Sequence, residues 1–216
     1  LKDKAGKQPI EPGDVCWADL NNDGVINNLD RVKVGNLFPT VTGGFSTTLG
    51  YKDFSLYARF DYALGHTLYN DLAARSLGQY QGSFNIIDMV KDSWSETNQD
   101  TDIPKFYYAD QLSKKNITRS NNGLTAVDNN SSRFYEKGDY LALREITLTW
   151  NLPKKWINKA LMSNASVYVT GQNLFYITGY TGVSPEPAVD TTYGQGLDNG
   201  RYPTPKTVLL GLSVTF

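Results

Sequence analysis

The sequence predicts an all-β fold, a transmembrane antiparallel β-barrel, on three observations. The chain closes on a strand of strict period two whose last residue is aromatic. Four further stretches alternate in the same way. The connections between the five run short, long, short, long, as in barrels whose tight turns lie on one side of a membrane and whose long loops lie on the other.

The closing strand, 206–216, sets the pattern. Val208, Leu210, Leu212, Val214 and Phe216 share one face; Thr207, Gly211, Ser213 and Thr215 share the other, with Leu209 the exception. Soluble domains more often end in polar, frayed residues. A strand with one apolar face and one polar face fits lipid on one side and a polar lumen on the other.

Taken in order, residues 1–40 read as an extracellular loop and 41–65 as a transmembrane hairpin. Within the hairpin, Val41, Phe45 and Leu49 oppose Thr42, Ser46 and Thr48. Across Tyr51-Lys52-Asp53, a very short turn, Phe54, Leu56, Ala58, Phe60, Tyr62 and Leu64 oppose Ser55, Tyr57, Arg59 and Asp61. Residues 66–139 form a long extracellular loop. In it, Ile86, Ile87, Val90 and Trp94 predict a short amphipathic helix over Phe84–Trp94, and the Asn/Ser/Thr-rich Asn116–Ser132 predicts an exposed loop.

Residues 140–175 read as a strand pair joined by a short basic periplasmic turn, 153–164. Leu141 and Leu143 have one parity, and Ile146, Leu148 and Trp150 the other, which predicts a β-bulge near Arg144-Glu145. The alternative is that Leu141 and Leu143 pack inward against a buried element. In the next strand, Val167 and Val169 oppose Tyr168, Thr170 and Gln172. Residues 176–205 are a further extracellular loop, and 206–216 the closing strand. This arrangement puts Tyr51, Phe54, Trp150, Trp156 and Phe216 near the periplasmic boundary and Tyr62, Tyr140, Phe175 and Tyr176 near the outer one, as two aromatic girdles.

Composition agrees. The 216 residues carry a formal net charge of −1, which excludes a nucleic-acid footprint. No segment approaches the roughly 18 apolar residues of a membrane helix. Cys16 stands alone, so an internal disulfide is impossible. The opening Leu-Lys-Asp-Lys holds neither Met nor a signal peptide, and the chain reads as a fragment or processed piece of something longer.

The sharpest local motif lies between Asp19 and Asp30. Asp19, Asn21 and Asp23 stand at positions 1, 3 and 5 of a twelve-residue calcium loop, Gly24 at 6, the Val25 carbonyl at 7 and Asp30 at 12. Alternate oxygens converge because Gly24 permits a sharp turn. Asp30 stands where Glu is usual, as in the dockerin variant, and a shorter carboxylate weakens bidentate ligation. A polar loop capped by its own Asx residues is the other reading. A bound calcium here would stiffen a loop.

No catalytic set appears. His66 is the only histidine, so a Ser-His-Asp triad would depend on that one position, and its place after Gly65 at a strand end reads as a loop residue. Arg59 and Asp61 face the supposed lumen as an ion-pair network. Lys154, Lys155 and Lys159 with Trp156 suit either anionic headgroups or a plain solvated turn. Tyr80, Tyr107 and Tyr108 can stack on sugar rings or pack within their own loop.

Several ordered motifs resemble the end of SusC/RagA-type TonB-linked outer-membrane proteins. They are Pro12-Gly-Asp-Val with the Asp19–Asp30 loop, Arg31 and Gly35-Asn36, then Tyr140–Leu148 and Leu152-Pro-Lys-Lys155. Val167–Phe175 and Tyr202-Pro-Thr-Pro-Lys-Thr207 through Phe216 match as well. The resemblance implies an active importer of oligosaccharides or peptides in the outer membrane of Bacteroidota. It implies a barrel of about 22 strands around a plug, of which this chain supplies the last few. It implies a SusD-like surface lipoprotein as partner, the remainder of the barrel and plug, TonB reached through the missing N-terminal part, and outer-membrane lipid. It also makes Val208, Leu210, Leu212, Val214 and Phe216 a signal for barrel assembly. Five strands cannot close alone, because an open edge in lipid leaves backbone groups unpaired. Tyr57, Arg59 and Asp61 would then line the side facing the plug.

Two rivals come from other classes. A secreted carbohydrate-binding β-sandwich explains the calcium loop and the tyrosines, but not long loops confined to one end. A barrel lipase or protease would rest its triad on His66, the lone histidine, which argues against it.

Overall fold

The computed structural model describes residues 11–15, 18–24, 28–74, 88–106, 132–158, 161–186, 196–200 and 202–216. In chain order the elements are β1 (Val41–Tyr51), β2 (Phe54–Leu64), β3 (Thr67–Asn70), α1 (Asp71–Ala74), β4 (Tyr135–Lys137), β5 (Tyr140–Asn151), α2 (Lys154–Ile157), β6 (Asn164–Thr178), β7 (Leu197–Asp198) and β8 (Thr207–Thr215). Two compact units divide them. One is Leu1–Gly35, Leu68–Glu136 and Val189–Gly200; the other is Asn36–Thr67, Lys137–Ala188 and Arg201–Phe216.

The second unit is a five-stranded sheet in the order β1-β2-β5-β6-β8, with every neighbouring pair antiparallel. Its strands occupy the stretches where the sequence alternates, β6 running on to Thr178. β1 and β2 join through Lys52-Asp53 alone, with Tyr51 paired to Phe54 and Lys52 at φ +52°. A positive φ there gives a two-residue turn the twist that antiparallel strands need. β5 and β6 join at the same end of the sheet through a stretch holding the one-turn helix α2. The connections from β2 to β5 and from β6 to β8 leave the opposite end. Among the described residues, no strand pairs with the outer edge of β1 or of β8.

Register makes one face of this sheet apolar from edge to edge. Phe45 pairs with Phe60, Leu56 with Leu148, Leu148 with Val169, and Val169 with Leu210. Much of this face is uncovered, most of all toward its edges: Phe45 is 53 % exposed, Val208 71 % and Leu210 80 %. At the short-turn end Phe54 stacks on Trp150 (centroids 6.1 Å) and Trp150 meets Trp156 edge-on (5.9 Å). A large apolar side chain gains about 1.5–3 kcal/mol when removed from water. A face of this extent therefore demands an apolar surrounding.

The slip of parity in β5 has a local cause. Glu145 pairs with Arg59 and Leu143 with Phe60, so Arg144 is an extra residue against β2. That insertion brings Leu141, Leu143, Ile146, Leu148 and Trp150 onto one face by register, although Leu143 is itself buried. β6 answers with its own irregularity between Gln172 and Phe175, where Asn173 takes φ +51°. Asn tolerates this left-handed conformation better than most residues.

The other unit contains the three-stranded sheet β4-β3-β7, in which β3 and β7 run parallel. Tyr69, Ala74 and Phe134 form its buried cluster, with Ala73, Tyr135 and Leu197 against it. Asn70 caps α1 through Oδ1, which accepts the Ala73 N–H (3.0 Å), and its amide donates to Glu136 (3.0 Å). No alternation in the sequence announced this sheet. Residues 84–87 of the expected amphipathic helix lie outside the described residues; Asp88–Asp92 form a 3-10 turn rather than part of an α-helix reaching Trp94. Residues 116–131 of the expected exposed loop lie outside as well.

Candidate functional site

The polar face of the five-stranded sheet concentrates its chemistry at the bulge. The inserted residue puts Arg144 on the same side as Glu145. Its Nε and Nη2 donate to the two carboxylate oxygens of Asp61 on β2, the Nη2–Oδ2 distance being 2.9 Å. Nη1 donates to the Tyr176 hydroxyl on β6 (3.1 Å), and Nη2 also reaches Glu186 (2.5 Å). The Tyr176 hydroxyl donates in turn to Glu186 (2.6 Å). The guanidinium lies against the rings of Tyr140 and Tyr176 and is 17 % exposed. One cation thus gathers two carboxylates and a phenol from three parts of the chain, in the planar two-point geometry for which Arg is suited.

Beneath this cluster Ala63, Tyr140 and Ala142 are buried, with Tyr176 packed on them. Small residues at 63 and 142 leave room for the aromatic rings. Tyr140 and Tyr176 therefore belong to the polar face, a correction to their expected place in the outer girdle. His66 is in the loop between β2 and β3, as expected, but it is buried. It is 1 % exposed, packs edge-on to Tyr140, and its Nε2 lies 2.9 Å from the Pro185 carbonyl. That carbonyl can only accept, so Nε2 carries the proton. Gly138 makes room: a Cβ there would sit 2.3 Å from Nε2.

The other expected lumen residues divide. Tyr57 and Arg59 are on the polar face, but Asp61 pairs with Arg144 and not with Arg59. Arg59 lines an open recess with Gly44, Ser46, Asp61 and Arg144. Lower on the face, the Thr147 and Thr170 hydroxyls bond across β5 and β6 (2.8 Å). Tyr168 lies over Gly211 of β8, where a Cβ would meet the ring at 2.1 Å. Val208, Leu210, Leu212 and Val214 are on the apolar side of the closing strand, and Phe216 follows its last paired residue.

In the Asp19–Asp30 stretch, carboxylates cap backbone N–H groups, as the Asx reading expects. Asp19 accepts from the Gly24 N–H (2.8 Å) and the Asp23 N–H (3.2 Å). Asn21 donates to Asp23 (2.8 Å), and Asp30 accepts from the Leu20 N–H (2.9 Å). Gly24 turns with φ +78°. Val25 lies outside the described residues. Among the described residues, no three His, Cys, Asp or Glu side chains cluster closely enough to hold a metal ion. Donor type, order and turn fit a calcium loop; three of its five expected donors are carboxylates, with an amide and a carbonyl completing the set. Tyr80, Tyr107 and Tyr108 lie outside the described residues.

Arg144, Tyr176, Glu186 and the His66–Pro185 contact were not found from sequence. The parity slip marked the position of Arg144, but nothing in the sequence indicates which distant carboxylate returns to it.

Known proteins resemble this chain over nearly all of it. It is 31 % identical over 212 residues to TonB-dependent receptor P3 of Formosa agariphila, a match covering 95 % of this chain and 19 % of that protein. It is 26 % identical over 216 residues to TonB-dependent receptor SusC of Bacteroides thetaiotaomicron, covering 99 % and 18 %. A solved RagAB peptide transporter superimposes with TM-score 0.61 at 26 % identity, covering 83 % of this chain and 17 % of that one. The chain spans about a fifth of the length of the curated relatives it matches. No protein-family model matches it.

Proposed function

We propose, for a chain that belongs with the SusC/RagA-type TonB-dependent receptors, that it forms part of the wall of an outer-membrane β-barrel. That barrel imports a nutrient, an oligosaccharide or a peptide, with energy delivered through TonB. The carrying observation is the sheet itself: five antiparallel strands, one face apolar and uncovered, the other polar and hydrogen-bonded. Further strands complete it at the free edges of β1 and β8, since unpaired edges are not tolerated in lipid. Short turns face the periplasm and the long connections face outside. A SusD-like lipoprotein meets the outer side, as the likeness to SusC and to a RagAB transporter supports. Val208 through Phe216 serve as the assembly signal.

The test uses the complete protein in its own outer membrane. Deleting it should abolish uptake of one class of oligosaccharide or peptide, and collapsing the proton gradient that energises TonB should do the same. Recovery of the complete protein as a detergent-free soluble monomer would overturn the reading. A β-sandwich would bury the apolar face under a second sheet, whereas that face is exposed here.

Calcium is part of this proposal as a structural ion, held by Asp19, Asn21, Asp23, Asp30 and the Val25 carbonyl. Adding calcium to the chelator-treated protein should protect residues 19–30 from proteolysis, and Asp19→Ala should remove the protection. Equal cleavage with and without calcium would exclude the ion.

A further inference from the structure

Nine residues, Thr178–Glu186, return from the end of β6 onto the polar face and are held there at three places. The Thr178 hydroxyl donates to the Asp139 carbonyl (2.8 Å) and accepts from the Tyr180 N–H (3.1 Å). Asp139 is itself fixed, its carboxylate accepting the Gly65 N–H (2.6 Å). Tyr180 is buried and folds over Gly182, where a Cβ would meet its hydroxyl at 2.3 Å. Pro185 is buried, and its carbonyl accepts a hydrogen bond from His66 Nε2–H (2.9 Å). Glu186 is seated between Arg144 and Tyr176.

The charges give this seat a direction. Asp61 alone already satisfies the two-point geometry of Arg144. Glu186 brings a second carboxylate to the same cation, so the group carries one negative charge in excess. Remove the guanidinium, and two half-buried carboxylates confront each other. Like charges at this range repel strongly away from bulk water. Asp61 is on a strand paired on both sides, whereas Glu186 lies beyond β6, so the repulsion bears on the Thr178–Glu186 segment.

We infer that Arg144 is a positioning residue that holds Thr178–Glu186 against the polar face, and that import requires this segment in place as part of the rim of the transport path. The second half of the inference rests on the import reading above; the first half does not.

The experiment uses the complete protein, purified in detergent, with chymotrypsin as probe of Tyr180. The wild type should resist cleavage there. Arg144→Met should be cut at least tenfold faster, and Glu186→Gln, which keeps an acceptor for Arg144 and Tyr176, should rise by less. In cells, uptake should fall in the order Arg144→Met, then Glu186→Gln, at unchanged protein level in the outer membrane. Should Arg144→Met not assemble, Glu186→Ala leaves the Asp61–Arg144 pair intact and must itself expose Tyr180. Wild-type cleavage as fast as the variants', or protection unchanged in Arg144→Met or Glu186→Ala, would overturn the clasp. Tyr180 released with uptake unaltered would overturn its role in import. A protein that imports nothing in any form refutes the import reading, and the cleavage pattern still decides the clasp.

Discussion

The two faces of the five-stranded sheet are built on different principles. On the apolar face the side chains are members of a class: Phe45, Leu56, Leu148, Val169 and Leu210 succeed one another across the strands, joined by apolar contact rather than by matched donors and acceptors. On the polar face identity matters. Arg144 has Asp61, Tyr176 and Glu186; Thr147 has Thr170; Tyr168 has Gly211. A face that meets a solvent needs only the right transfer energy, whereas a face that meets its own chain needs shape and matched donors.

The largest effect should come from breaking the class rule on the apolar face. Ile146 is the middle apolar residue of β5, paired with Ala58 and Gly171. Ile146→Arg should cost about 2–4 kcal/mol if that face meets hydrocarbon near its midplane. Thr149→Arg puts the same side chain on the polar face three residues away and should cost about 1 kcal/mol or less. Reversible unfolding of the complete protein in lipid vesicles measures both. Equal costs would mean that the two faces meet the same medium.

The same difference explains what the sequence could disclose. Period two in β1, β2, β6 and β8 is a property of each strand alone, so those strands are legible residue by residue. The insertion at Arg144 is legible as well, because a single extra residue reverses every later side chain. What depends on distant partners is not. His66 and Pro185 meet across a large loop closure, and the parallel contact of Tyr69 with Leu197 joins segments too short to alternate. Tyr140 and Tyr176 were legible in principle: their parity sets them on the polar side, but their position at strand ends draws them to a girdle. The outer-face aromatics Phe54 and Trp150 fit both criteria, and there strand end and parity agree.

A smaller substitution sharpens the comparison, because it changes no charge and no hydrophobicity. Gly50 is on β1 at the short-turn end, and a Cβ built there meets nothing within 4 Å. Gly138 has its N–H on the His66 carbonyl (2.9 Å), and a Cβ there would press into the buried imidazole. Gly50→Ala should be neutral or stabilising by about 0.5 kcal/mol, through the lost freedom of the unfolded chain. Gly138→Ala should cost about 1–3 kcal/mol, since the ring has no open space to retreat into. The displacement also takes Nε2 away from Pro185, so Gly138→Ala should loosen Thr178–Glu186 in the chymotrypsin assay while Gly50→Ala does not. A Gly138→Ala protein as stable and as protected as Gly50→Ala would mean that the imidazole yields freely. Thr178–Glu186 would then be held by Arg144 and the Thr178–Asp139 bond, without the imidazole.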